Sequence, residues 1–304
     1  YAGLRGPSTN HSKPRRKPPT PAKSSTTRRA IFQGHRDRLL RISITPLGRV
    51  IKVNNFQNEE QLMNYALRLE GLKFSEISTL IGELDTKERR HTKGFIGKII
   101  ETDFFGIPTN SSDAPDFENL GIELKVSPLR FVSRVGLYTT KERSVLKMVD
   151  YTEMLQNEDW EDTNIKKKLN KILFVLYVHD NEIDAWDWKV CKVFLWSPSE
   201  IEKERIQIDF QMMRNKAISG QNLREGDHSF FATCPKHGGG YLKNNPLDSP
   251  RSSLAVHPVM GFAEKRGYCI KREAFIQLIA DSINAPIEKS GRTIGIRGDY
   301  LSLK

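Results

Sequence analysis

One stretch limits what this chain can fold into more than any other: Pro115-Asp116-Phe117-Glu118-Asn119-Leu120-Gly121-Ile122-Glu123-Leu124-Lys125. Side chains at i and i+2 of a strand share a face, so Glu123 and Lys125 project together while Ile122 and Leu124 turn to the buried side. Asn119, Leu120 and Gly121 supply a tight turn that folds Asp116 back toward them. Two carboxylates and an ammonium converging on one point suit a hard divalent cation and the water it activates, which is the chemistry of phosphodiester cleavage.

The acid-any-lysine tripeptide alone is weak, because Asp85-Thr86-Lys87 and Asp187-Trp188-Lys189 repeat it. Short motifs have a high false-positive rate, and an exposed strand edge carrying a salt bridge is the ordinary reading. Only the copy at residues 123 to 125 has a Pro-Asp pair upstream across a turn. It needs partners elsewhere in the chain.

Composition narrows the classes. The 304 residues are long enough for one large or two modest domains, with 38% apolar and 28% charged side chains. The longest apolar run, Ile172 to Val178, is far short of the roughly 20 residues a bilayer span needs, so no membrane partner is expected. Cys191, Cys234 and Cys269 are scattered and form no CxxC pair, which argues against a zinc site or a disulfide scaffold; a reducing cytoplasm is the expected compartment. The net charge of +11 sits wholly in residues 1–50, which hold twelve Lys and Arg and one acid, leaving 36 basic and 36 acidic residues in the remainder. A nucleic-acid field on the folded body must therefore come from segregated charges, not from a surplus. Residues 1–50 read as a basic, disordered extension rich in Pro, Ser and Thr.

The ordered part, residues 54–304, alternates helix and strand signals, a mixed α/β (α+β) architecture around a central sheet. Asn58-Glu59-Glu60-Gln61 opens a helix with Leu62, Tyr65, Ala66 and Leu69 inward. A second helix fits Ser75 to Ile81 with Ser75 as N-cap, and a third fits Gly94 to about Phe105 with Phe95, Ile96, Ile99 and Ile100 inward. Strands are expected over Gly121 to Val126, Phe131 to Tyr138, Lys171 to His179 and Lys189 to Leu195. Ser197-Pro198-Ser199-Glu200 starts a helix running to about Lys216. A strand near His228 to Cys234, a loop at Gly238-Gly239-Gly240 and a closing helix from Lys271 to Ile283 follow.

Other segments could join the candidate site. Lys93-Gly94-Phe95-Ile96-Gly97 precedes Glu101, and its glycines suit close helix packing; Glu101 reads as a surface carboxylate or an auxiliary ligand. The run Lys166-Lys167-Lys168 reads equally as a solvated cluster or as a phosphate contact. Trp160, Trp186, Trp188 and Trp196 read as core or sheet-surface aromatics.

Together these segments resemble the MutH family of mismatch-repair endonucleases and the Sau-type GATC-cutting restriction enzymes, from about Glu59 to Ile283. Lys93 through Glu101 looks like the KGxxGxxxE signature and Asp116 through Lys125 like DFxxLGxELK, spacing included. Trp160-Glu161 with Lys166-Lys167-Lys168-Leu169, and Leu195-Trp196-Ser197-Pro198 through Asp209-Phe210, extend the match. The resemblance implies a restriction-endonuclease-like PD-(D/E)xK core, with a catalytic part over about 54–190 and a DNA-recognition part over about 191–290. It implies Mg²⁺ at Asp116, Glu123 and Leu124, a water-orienting Lys125, and help from Glu101 and Lys168. It implies double-stranded DNA as partner and 5′-phosphate ends, with DNA contacts from Lys93, Lys236, Tyr268 and Cys269. Thr233-Cys234-Pro235-Lys236 departs from the family's Arg-Pro-Lys loop by placing Cys234 at the arginine. A tyrosine that senses adenine methylation in the family aligns with Cys269, one residue beyond Tyr268. Leu137 through Leu146 and Asp150-Tyr151 look closer to the restriction branch; methyl-directed nicking with a MutL-type ATPase is the alternative, and a non-catalytic DNA-binding module is the competing class.

Overall fold

In the computed structural model, which describes residues 56–80, 94–108, 112–157, 159–236 and 254–303, the chain opens with α1 (Glu59–Ala66). Asn58 caps it by accepting the Gln61 N–H at 2.9 Å, and Glu59 and Glu60 favour the positive end of the helix dipole. Leu62, Tyr65, Ala66 and Leu69 are all buried, as their spacing requires. The next helix, α2 (Phe74–Leu80), starts one residue before the expected cap. Ser75 lies inside its first turn, and the Glu76 carboxylate, not Ser75, accepts the Lys73 N–H at 2.7 Å. The expected end at Ile81, the basic extension over residues 1–50, Lys93 and the Gly238–Gly240 loop lie outside the described residues.

Gly94, with φ +83°, turns the chain into α3 (Phe95–Lys98), which widens at once into a π-helical stretch over Ile99–Phe104. Its Ile96, Ile99 and Ile100 are buried as expected.

The central sheet follows. It uses β1 (Glu123–Val132), β2 (Leu137–Thr140) and, after β3 (Ser144–Met148), α4 (Tyr151–Gln156) and α5 (Asn164–Leu169), β4 (Ile172–Val178) and β5 (Val190–Trp196). Strand order is β2-β1-β4-β5, with β1 and β4 parallel and the other pairs antiparallel. The expected single strand from Phe131 to Tyr138 is a hairpin instead: β1 runs through Val132, residues 133–136 turn with Gly136 at φ +68°, and β2 returns so that Phe131 pairs with Tyr138.

Strand β4 is buried on both faces, and its period of two divides the core. Leu173 and Val175 pack with Leu124, α1, α2 and α3 on one side. Phe174 and Leu176 pack with Leu129 and the C-terminal helices on the other.

The second half begins with α6 (Glu200–Ile218), closed by a capping box in which the Ser199 hydroxyl accepts the Glu202 N–H and the Glu202 carboxylate accepts the Ser199 N–H. Then come β6 (Phe231–Pro235), the hairpin β7 (Leu254–His257) and β8 (Gly261–Glu264), β9 (Arg266–Ile270), α7 (Arg272–Ser282) and the hairpin β10 (Glu288–Ser290) and β11 (Thr293–Gly295). Strands β3, β9 and β6 form a second, antiparallel sheet with β9 in the middle. Buried Asp209 of α6 fixes the entry to this sheet by accepting the N–H groups of Ser229, Phe230 and Phe231 at 3.1, 2.8 and 2.9 Å.

Candidate active site

The loop before β1 is shaped by its ends. Phe117 and Ile122 exchange backbone hydrogen bonds at 2.8 and 3.3 Å, a 3-10 turn covers Glu118–Leu120, and Gly121 takes the left-handed conformation at φ +65° that closes it. Phe117 is fully buried against the rings of Phe56 and Phe105 and anchors the loop. Asp116 is thereby folded back onto the strand, where its Oδ2 accepts the Leu124 N–H at 2.9 Å. This is the turn the sequence spacing called for.

On β1, Glu123 and Lys125 do share a face: Lys125 Nζ lies 2.6 Å from Glu123 Oε1. Leu124 points into the opposite core, so only its backbone can reach a ligand. Glu123 is 2% exposed, and its second oxygen is held by Lys168 Nζ at 2.9 Å. Lys168 also donates to the Ala114 carbonyl at 3.1 Å, which ties it to the loop that carries Asp116.

Helix α5 resolves the lysine run. Ile165, Lys168 and Leu169 form its buried face at the i, i+3, i+4 spacing of an amphipathic helix. Lys166 instead pairs with Glu161 at 2.5 Å and exposed Lys167 donates to Asn164 at 3.3 Å. One lysine of three belongs to the site.

Glu101 enters from the π-helical stretch. Its carboxyl lies in the field of Lys125, Asp116 and Glu123. Gly97 sits one turn before it, and a Cβ there would stand 3.3 Å from Glu101 Oε1. The glycine makes room for the carboxylate on its own helix, not for a neighbouring helix as expected.

Burial pushes the Asp116 carboxyl above its ordinary range, with the Glu123 charge adding to the rise against Lys125, the Leu124 N–H and Lys168. Burial does the same to Glu101, opposed by Lys125 and reinforced by Asp116 and Glu123. Negative charge at this point is thus under-compensated, and oxygen donors of this kind suit a hard divalent cation. Among the described residues no group of three His, Cys, Asp or Glu side chains is placed to hold a metal ion. An open set is what Mg²⁺ uses, since it takes one or two carboxylates and fills the rest of its shell with water and substrate phosphate.

Sequence reasoning missed a supporting network. Lys147 of β3 bridges Asp113 at 2.6 Å and Glu153 of α4 at 3.1 Å. Glu153 accepts the Asn164 N–H at 2.9 Å, and Asn164 Nδ2 returns to Asp113 at 3.2 Å. Burial works against the Lys147 ammonium, but these two carboxylates hold its pKa above the usual lysine value. A lysine alternating with apolar residues in Ser144 to Met148 was the available signal. The network joins the second sheet to the Asp116 loop and to the start of α5.

The residues expected to contact DNA are placed differently from one another. Lys236 is exposed at the end of β6, while Tyr268 and Cys269 are buried in β9. Tyr268 stacks on Phe231 at 5.4 Å between ring centroids, so in this conformation both residues pack the sheet and present no edge to a DNA groove. A hydrogen bond from the Cys269 thiol lowers the pKa of the Cys234 thiol, with Lys236, Arg143 and Arg266 assisting against burial. The cysteine at the expected arginine position therefore sits in the field of three cations, which favour its thiolate.

Comparison with known proteins agrees with this geometry. The family model described as "DNA mismatch repair enzyme MutH" matches residues 105–209, which include Asp116, Glu123, Lys125 and Lys168. The DNA mismatch repair protein MutH of Citrobacter koseri is 29% identical over 229 residues, covering 73% of this chain and 92% of that protein. The protein of the same name from Vibrio campbellii is 27% identical over 165 residues, 54% of this chain and 70% of its own, and that of Escherichia coli (strain K12) is 28% identical over 167 residues, 54% and 69%.

Proposed function

We propose that the chain, similar to MutH proteins over 73% of its length, is a member of the MutH and Sau-type family of DNA endonucleases and a Mg²⁺-dependent hydrolase that cuts double-stranded DNA at or near GATC. The observation that carries the proposal is the meeting of Asp116, Glu123, Lys125 and Lys168, drawn from three separate elements, around one buried carboxylate.

Asp116, Glu123 and the Leu124 backbone would hold the ion, with Glu101 as an auxiliary ligand. Mg²⁺ bound there would supply charge stabilisation for the phosphate and a more acidic water. Lys125 faces the same point and orients the attacking water, stabilising the hydroxide as its proton leaves. Lys168 neutralises Glu123 and lends positive charge to the phosphate as oxygen charge builds up. Attack in line with the departing 3′ oxygen leaves a 5′-phosphate and a 3′-hydroxyl. Lys93 and Lys236 contact the duplex, and the cytoplasm is the proposed compartment.

Double-strand cutting of a restriction type is the first reading. Nicking in mismatch repair, with a MutL-type ATPase as partner, is the second, favoured by the descriptions of the relatives. Digestion of methylated and unmethylated plasmid in Mg²⁺, with sequencing of the ends, tests both. Efficient linearisation without a partner supports the first; slow nicking that a MutL-type ATPase stimulates supports the second. Binding without any cleavage would reduce the chain to a DNA-binding module and overturn both.

A further inference from the structure

A carbonyl at the end of the π-helical stretch is left without its regular partner. In a continued α-helix the N–H of residue 108 would meet the Phe104 carbonyl, but residue 108 is proline and has no N–H. Gly106, at φ +69°, turns the chain away, and the Ile107 N–H goes to the Glu101 carbonyl at 2.8 Å. A buried carbonyl left unpaired is costly, so another donor has to reach it. Tyr65 of α1 does so: its hydroxyl donates to the Phe104 carbonyl at 3.1 Å in a buried setting.

This bond sits where two carboxylates of the site are tied to one scaffold. Glu101 lies about one turn before Phe104 in the same stretch. The Phe105 N–H reaches back to the Ile100 carbonyl at 3.0 Å, the wide turn of a π-helix, and such turns recur at functional sites. The Tyr65 ring packs on Phe104 and Phe105, with centroids 4.6 and 5.8 Å away. Phe105 in turn meets Phe117, the neighbour of Asp116, at 5.4 Å. One aromatic cluster therefore joins the Glu101 turn and the Asp116 loop to α1, and within it the Tyr65 hydroxyl bonds the backbone of the turn.

We propose that Tyr65 is a positioning residue: by closing the Phe104 carbonyl, its hydroxyl holds the π-helical turn that presents Glu101 to Lys125, Asp116 and Glu123. The inference rests on the endonuclease reading and deepens it, since it names what places the auxiliary carboxylate. Without the hydroxyl the carbonyl is orphaned at a helix end, which loosens the turn and the side chain it carries. The effect passes through Glu101, so it vanishes when that residue can no longer act as a carboxylate.

The test is Tyr65→Phe in the full-length chain, alone and combined with Glu101→Gln; phenylalanine keeps the ring packing and removes only the hydroxyl. Single-turnover cutting of a GATC duplex in Mg²⁺ should fall by roughly three- to tenfold for Tyr65→Phe, as for a few tenths of an ångström of misplacement. In the Glu101→Gln background the same change should cost less than about twofold, because residues that act through one another are not additive. Amide hydrogen exchange in chelator needs neither metal nor cutting. The Phe105 and Ile107 amides should exchange about tenfold faster in Tyr65→Phe, the size of one lost hydrogen bond, with those of β4 unchanged. Parent-like cutting, or parent-like exchange at these two amides, would overturn the proposal. So would an equal loss of cutting in both backgrounds, which would make Tyr65 a support of the fold alone. A Glu101→Gln chain that cuts as the parent does would overturn it too, by removing the carboxylate it positions. Failure of the endonuclease reading looks different, since the parent would then cut no DNA while the exchange difference persisted.

Discussion

Lys168 Nζ lies 2.9 Å from Glu123 Oε2, and the two residues are 45 positions apart in the chain. Both are buried, and the remaining Glu123 oxygen is taken by Lys125 at 2.6 Å. Breaking one side of a buried ion pair costs about 3–5 kcal/mol because a charge is left uncompensated. Lys125 remains to Glu123, so Lys168→Met should cost near or below the low end of that range, about 2–3 kcal/mol in urea unfolding. The double variant Glu123→Gln/Lys168→Met should recover part of the loss. Additive losses would show that the pair is not energetically coupled.

Asp116 and Glu101 both titrate above the ordinary carboxylate range, mainly through burial. Their folded pKa values are raised, so the folded chain binds their protons more tightly than the unfolded chain does. That contribution favours the folded state at low pH and is lost as pH rises through the raised values. On the proposed roles cutting runs the other way, because each proton would remove a ligand charge. The acid limb of the rate profile should therefore lie higher than for an exposed carboxylate. Asp116→Asn should abolish cutting and raise the melting temperature measured in chelator at neutral pH; an unchanged or lower value would contradict the assigned burial cost.

Gly97 leaves 3.3 Å between a hypothetical Cβ and Glu101 Oε1. Alanine favours a helix over glycine by about 1 kcal/mol, so Gly97→Ala should fold at least as stably as the parent. Its methyl must displace the Glu101 carboxylate by a few tenths of an ångström. Since a 1 Å misplacement can cost about 10²-fold, a loss of roughly three- to tenfold in kcat is expected. Melting and single-turnover cutting, measured side by side, would separate the two effects. Parent-like cutting would remove Glu101 from the site.

Lys147 joins Asp113 and Glu153 and so braces the loop that carries Asp116. Lys147→Met should lower kcat by about ten- to a hundredfold, in the range seen when groups behind metal ligands are removed, with little change in KM. A rise in KM with kcat unchanged would place Lys147 in DNA contact instead.

The part of the site that is local in sequence was legible, and the part assembled by distant pairing was not. Asp116 through Lys125 is a turn and a strand, so spacing alone fixed its geometry, and the later Leu124 N–H bond to Asp116 follows from that turn. Lys168 was one of three equivalent lysines until α5 gave Ile165, Lys168 and Leu169 a common buried face. The hairpin at Phe131 to Tyr138 was read as one strand although Gly136 marks its turn. β3 and β9 pair across more than a hundred residues, and neither carries a local signal strong enough to reveal the partner. The burial of Tyr268 and Cys269 follows from that pairing, as does the Lys147 network. A π-helical turn such as Ile99–Phe104 has no sequence signature, yet it sets where Glu101 points.

The central claim is that Asp116 and Glu123 supply the chemistry of strand cleavage and not the grip on DNA. Cleavage of supercoiled plasmid in Mg²⁺ by the parent, Asp116→Ala and Glu123→Ala, with duplex binding measured in parallel in chelator, tests it most directly. Both variants should bind DNA close to the parent while cutting falls by about 10²- to 10³-fold, the scale expected when a preorganised charge-stabilising group is lost. If both variants cut at the parent rate, the active site lies elsewhere in the molecule.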